Sequence, residues 1–144
     1  MPIRNSSGPL VPTSQALPTL SVEGNEAYAG LEDCPPRGAT TGPKTLFRLV
    51  LNDPPQPSDL LTTAEENKHP DGDACRRHSV STYASLSHAE RCRKNVNFFK
   101  NHRIASGNIP KDAGKMKRTS RTPGHWSWWP SPSCVRHSYF LVIA

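Results

Sequence analysis

The sequence predicts a small α+β domain, with a mixed or antiparallel sheet and two short helices, behind a disordered proline-rich tail. Three observations carry that expectation. Hydrophobic residues make up 34% of the 144 positions, below the ~45–50% of an average globular domain, so the core is small. Fifteen prolines and nine glycines interrupt the backbone too often for an all-helical bundle, because each proline removes an N–H donor and crowds the preceding turn. From residue 44 onward, short apolar or alternating runs recur between polar turns, in the manner of strands. No apolar stretch approaches the ~18–20 residues needed to cross a bilayer, so no membrane partner is expected.

Residues 1–43 read as the tail. Seven of the fifteen prolines lie there (Pro2, Pro9, Pro12, Pro18, Pro35, Pro36 and Pro43), and Leu10, Val11, Leu17 and Leu20 keep no sustained period. A single domain over 44–144 follows. Residues 45–51 read as an interior strand with apolar groups on both faces, and its Arg48 requires a partner if buried. The Asn52-Asp53-Pro54-Pro55-Gln56-Pro57 run ends it. Ser58 as N-cap and Asp59 in the first turn then start a short helix through Leu60, Leu61 and Ala64 to about Asn67. Residues 68–73 form a turn-rich loop. Ser79-Val80-Ser81-Thr82-Tyr83 alternates as a strand. Ser87 and Glu90 make an S-x-x-E capping box for a second helix, from His88 to about Asn95 or as far as Phe99. Three further strands are expected at 103–106, 126–129 and 137–143. A loop over 111–122 separates the first two, with five basic residues against Asp112. The last strand is apolar throughout, which predicts a central place in the sheet.

Charge is divided unevenly. Residues 1–73 hold five Lys and Arg against ten Asp and Glu, whereas residues 74–144 hold thirteen against two. Such an excess attracts phosphate-bearing or acidic partners, or it is compensated by the acidic half folding back over the basic one. The start of the chain has no apolar core of the kind a secretory signal carries. The expected setting is therefore cytoplasmic, with Cys34, Cys75, Cys92 and Cys134 as reduced thiols.

Leu46-Phe47-Arg48, Asn52-x-Pro54-Pro55 and Ser58-Asp59-Leu60-Leu61 open a pattern continued by Ser79–Tyr83, Ala89-x-Arg91, Ile104-Ala105, Ile109-Pro110 and Gly124-His125. In order and spacing this resembles a family of small bacterial proteins without an assigned activity, over about residues 44–144. More distantly, Arg48 on a first strand and Ser79 and Ser81 on a second resemble the ADP-ribosyltransferase fold, which implies a nucleotide or NAD-type ligand. The late glutamate of that fold has no counterpart here, since Asp112 is the one acid after Glu90. That departure removes the carboxylate that orients the ribose.

The candidate ligand-binding residues are Arg48, Ser79, Ser81 and His125. The planar fork of Arg48 suits a phosphate or carboxylate; the competing reading pairs it with Asp53, Asp59 or Glu65. Ser79, Ser81, His78 and His125 have the residue types of nucleophilic or acid–base chemistry, which requires them to converge, whereas strand serines ordinarily face solvent or bond locally. Cys75, His78, His88 and Cys92 have zinc-ligand types, against their ordinary use as small buried groups. Trp126, Trp128 and Trp129 either fill the core or stack on bases beside the basic loop. The functional expectation is a nucleotide or phosphate-bearing ligand in a cleft around Arg48, Ser79, Ser81 and His125. The alternative is a non-enzymatic basic module that binds nucleic acid or an acidic protein through residues 91–100 and 111–121.

Overall fold

Alternation along Lys44–Val50 sends Leu46 and Val50 to one face of a sheet and Phe47 and Leu49 to the other. The whole domain is built on this split. The computed structural model describes residues 34–68, 74–119 and 122–144. Among them the strands are β1 (Thr40–Thr41), β2 (Lys44–Val50), β3 (Val80–Tyr83), β4 (Arg103–Ile109), β5 (Gly114–Arg118), β6 (His125–Pro130) and β7 (Phe140–Val142). They form one antiparallel sheet in the order β1-β5-β6-β3-β2-β4-β7. The longest pairing joins β2 to β4, from Lys44 opposite Ile109 to Val50 opposite Arg103.

The α-helix of the described residues, α1 (Leu86–Asn95), covers the Leu49 face through Ala89, Leu86 and Cys92. The opposite face holds the larger core of Leu46, Val50, Val80, Ile109, Met116 and Trp128, closed by Leu60 and Phe140. Trp128 is fully buried, and its indole N–H donates to the Ala113 carbonyl at 3.1 Å. Trp129 is also buried and donates to the Cys75 carbonyl at 2.8 Å. Two of the three tryptophans are thus core groups with their polar edges satisfied, each contributing a few kcal/mol of burial, by analogy with about 1.5–3 kcal/mol for smaller apolar side chains.

Several expectations are corrected. The first of the two predicted helices is a 3-10 turn, Pro57–Leu60, and Leu61 leaves it with extended backbone. The Asp59 carboxylate is drawn back onto Leu51 N, Gln56 N and the Asn52 amide, and the Glu65 carboxylate reaches back to Thr62 N. The second helix begins two residues early. Ser85, not Ser87, is its N-cap, with Oγ accepting from His88 N at 3.3 Å.

The segment 111–122, read as a loop, contains β5, with Met116 facing the core between outward Lys115 and Lys117. The last strand lies at the sheet edge rather than its centre; a 3-10 turn, Arg136–Tyr139, replaces its first half, and Leu141 is 67% exposed. Within the segment read as tail, Thr40 and Thr41 pair with Met116 and Lys115. Cys34 is joined to Cys75 by a disulfide, so these two thiols are not reduced as expected. The remainder of that segment, residues 1–33, lies outside the described residues. No helix among the described residues is long and apolar enough to cross a membrane.

Candidate functional site: a cleft at a split in the sheet

Strands β2 and β3 pair at a single position, Phe47 opposite Tyr83. One residue further along β2, a side chain takes over from the ladder. Arg48 Nη1 donates to the Ser81 carbonyl at 2.9 Å, Nε to the Asp59 carbonyl at 2.9 Å, and Nη2 to Glu66 Oε2 at 3.3 Å. Burial lowers the Arg48 pKa while the Glu66 carboxylate opposes the fall, and a guanidinium stays charged regardless. The acid partner is Glu66, not the Asp53, Asp59 or Glu65 side chain weighed from sequence; Asp59 supplies its backbone oxygen instead. Asp59 accepts from Leu51 N and Gln56 N, each at 2.8 Å. Burial works against its ionisation, but these donors and Asn52 outweigh it and hold its pKa below the ordinary value.

The divergence opens a cleft of about 280 Å³. Arg48, Ser81 and His125 all line it, as does an aromatic wall of Tyr83, Phe98, Phe99 and His102. Ser79 does not. It precedes the regular part of β3, it is buried, and its hydroxyl donates to the Arg76 carbonyl at 2.9 Å. His78 is buried away from the cleft as well. The aromatic groups meet edge to face: Phe98 and Phe99 with ring centres 5.1 Å apart, Phe99 and His102 at 4.9 Å, Tyr83 and His125 at 5.8 Å. The Tyr83 hydroxyl donates to Cys92 Sγ at 3.0 Å, and burial together with that sulfur raises its pKa, so the phenol stays protonated.

Both histidines are neutral near pH 7. Burial, reinforced by the Arg76 charge, pushes His125 down to about 4 against the opposing Thr119 hydrogen bond. Its Nδ1 lies 3.2 Å from Thr119 Oγ1, which in turn lies 2.7 Å from Ser127 Oγ. Burial and then the Arg48 charge lower His102 also, and its Nδ1 is buried without a hydrogen-bond partner. With Arg48 and Lys68 set against Asp59 and Glu66, the charged walls balance. Ser79 and His125 are not brought together: His125 Nδ1 turns to Thr119 and Ser79 to the backbone of Arg76, whereas Ser81 and His125 share the cleft wall.

The zinc-type quartet is not assembled either. Cys75 is in the disulfide, His88 Nδ1 lies 2.6 Å from Ser85 Oγ, and Cys92 accepts from Tyr83. Among the described residues no group of three metal-ligating side chains converges.

Phe98, Phe99 and His102 were not among the candidates from sequence, although Phe98-Phe99-x-x-His102 directly after a helix was the signal that marked them. Lys44 lies over the half-buried Trp126 ring at 4.3 Å. In the other basic segment, Lys115 and Arg118 stand exposed on β5 and Lys117 donates to the Arg37 carbonyl at 3.0 Å.

No family model, curated protein or solved structure matches this chain. Neither the bacterial family nor the ADP-ribosyltransferase relationship is therefore shown, and the cleft has to be read from its own chemistry.

Proposed function

We propose that the domain binds a nucleobase-sized planar ring in this cleft, as the base of a nucleotide-type ligand. The observation that carries the reading is Phe98, 71% exposed at the rim of an aromatic wall. Exposed apolar area costs about 25 cal/mol per Å². A flat heteroaromatic ring relieves this by covering Phe98 with its face, beside the neighbouring Phe99 and His102 rings.

Size sets the scale of the ligand. A cleft of about 280 Å³ falls just below the roughly 300–1,000 Å³ of drug-sized sites, room for one ring system. A dinucleotide such as NAD engages it through one base only. Lys68, exposed and 5.9 Å from the Phe98 ring centre, is the cation placed to meet a phosphate at the mouth. Arg48 grips no ligand in this reading; it fixes the Ser81 wall. Balanced charges and two neutral imidazoles favour an uncharged ring inside.

Titration of the full chain with the four common nucleoside monophosphates, followed by calorimetry, tests the proposal. Dissociation constants between about 10 µM and 1 mM are expected, weakened at least about tenfold by Phe98→Ala. Absence of binding by all four at about 5 mM overturns it.

A further inference from the structure

One turn lines two hollows. The 3-10 turn Asn97–Phe99, with Lys100 after it, places Phe98 and Phe99 in the cleft. Asn97 and Lys100 instead border an open recess of about 520 Å³, shared with Glu90, Arg93 and Lys94 of α1. The ring site and a cationic hollow are therefore neighbours, sharing one short segment whose inner pair, Phe98 and Phe99, enters the cleft and whose outer pair, Asn97 and Lys100, borders the recess.

We infer that the ligand class is single-stranded nucleic acid, with one unpaired base in the cleft and the adjoining phosphates across the recess. This rests on the ring-binding reading of the cleft and names its substrate class. Among the described residues, Arg91, Lys94 and Lys100 have no ion-pair partner, and Arg93 is held by backbone oxygens. The ion pairs among the described residues join Arg48 and Lys68 to Glu66, Arg103 to Asp53, and Arg136 to Glu65. Arg91, Arg93, Lys94 and Lys100 take part in none of these. Acidic residues of the first half do fold back, but onto other bases.

Arg93 also ties the two hollows together, since its Nη1 donates to the carbonyl of His102, a cleft residue, at 3.3 Å, and to that of Ala144 at 3.2 Å. Lysine, arginine and asparagine side chains are the usual donors to phosphate oxygens, and aromatic platforms beside a basic groove are how unpaired bases are held. A base inside a duplex cannot reach such a cleft. An acidic peptide satisfies the recess and leaves the rings unused.

The test is anisotropy of the full chain with labelled single strands of about eight nucleotides, DNA and RNA, at about 50–200 mM salt. We expect at least one strand to bind tenfold or more tightly than the best monophosphate. With about three phosphates engaged, the slope of log K against log salt is expected near −2. Lys94→Gln with Lys100→Gln lowers the slope magnitude by about 1 and leaves monophosphate affinity within twofold; Phe98→Ala weakens both ligands. Circular dichroism melts matching the parent show that each variant folds. The inference alone falls if monophosphate binds but neither strand binds more tightly, or if a duplex or poly-glutamate competes as well as the strand. If monophosphate also fails to bind, the cleft reading falls with it.

Discussion

Arg48 Nη1 and the Ser81 carbonyl oxygen meet at 2.9 Å at the point where the backbone pairing of β2 with β3 has ended. A side chain from one strand does here what a main-chain N–H does elsewhere in the sheet. The cleft is a direct consequence of this substitution of partners.

Arg48→Met is expected to destabilise the domain by about 2–4 kcal/mol, because it strands the Ser81 and Asp59 carbonyls and leaves Glu66, in a half-buried site, with only the exposed Lys68 at 3.9 Å. Arg48→Lys recovers less than half of this, since a single ammonium cannot span three directed acceptors. Urea unfolding midpoints measure both, and a loss below about 1 kcal/mol for Arg48→Met contradicts the bridging role.

Acid weakens the fold through His125. Its folded pKa of about 4 lies below the ordinary imidazole value of 6.5, so the unfolded chain binds the extra proton first as pH falls. Stability is fully present above about 6.5 and is lost progressively down to about 4, on the order of 3 kcal/mol in all. His102, also lowered by burial, acts in the same direction. His125→Gln flattens this dependence in urea titrations between pH 7 and 4.5; an unchanged slope shows that the imidazole is not protected from protonation.

Without reductant, alkylation is expected to label Cys92 and Cys134 and spare Cys34 and Cys75. The bridge spans a sequence separation of 41. On a chain-entropy basis it contributes about 3–4 kcal/mol, so reduction lowers the urea midpoint accordingly. Labelling of all four cysteines in the oxidised protein is the contrary result. A bridge of this kind is typical of oxidising compartments, which takes the support of reduced thiols away from a cytoplasmic setting.

Ser85→Ala removes the hydroxyl that accepts from His88 N and is expected to cost about 1 kcal/mol. Ser87→Ala, at an exposed position inside the first turn of α1, is expected to change stability by less than about 0.5 kcal/mol. Thermal melts of the two variants compare them directly, and the reverse ranking moves the cap to Ser87.

The sequence was most legible where periodicity and burial agree. The apolar run over 45–51, bounded by the Asn52–Pro57 turn, and the alternation from Ser79 to Tyr83 mark the two strands that frame the cleft and carry Arg48 and Ser81. Ser79 was misplaced because the period-2 pattern was extended one residue beyond where β3 begins at Val80. β5 was hidden because its inward side carries one apolar residue, Met116, between lysines. β7 was misassigned because an apolar composition does not say how many neighbours a strand has, and Leu141 is mostly exposed. The aromatic wall is hard to see in the sequence because Phe98 and Phe99 follow α1 with no glycine or proline to mark its end. Val96, with φ −109° and ψ 109°, breaks the helix and redirects them.

The Cys34–Cys75 bond closes a covalent ring that contains Arg48, Asp59, Glu66 and Lys68, while Ser81, Phe98, His102 and His125 lie outside it. A single protease nick at any peptide bond inside the ring leaves the two fragments tethered. Nicked protein therefore migrates as one species until reducing agent is added, and the two sides of the binding hollow stay on one molecule after the main chain between them is cut.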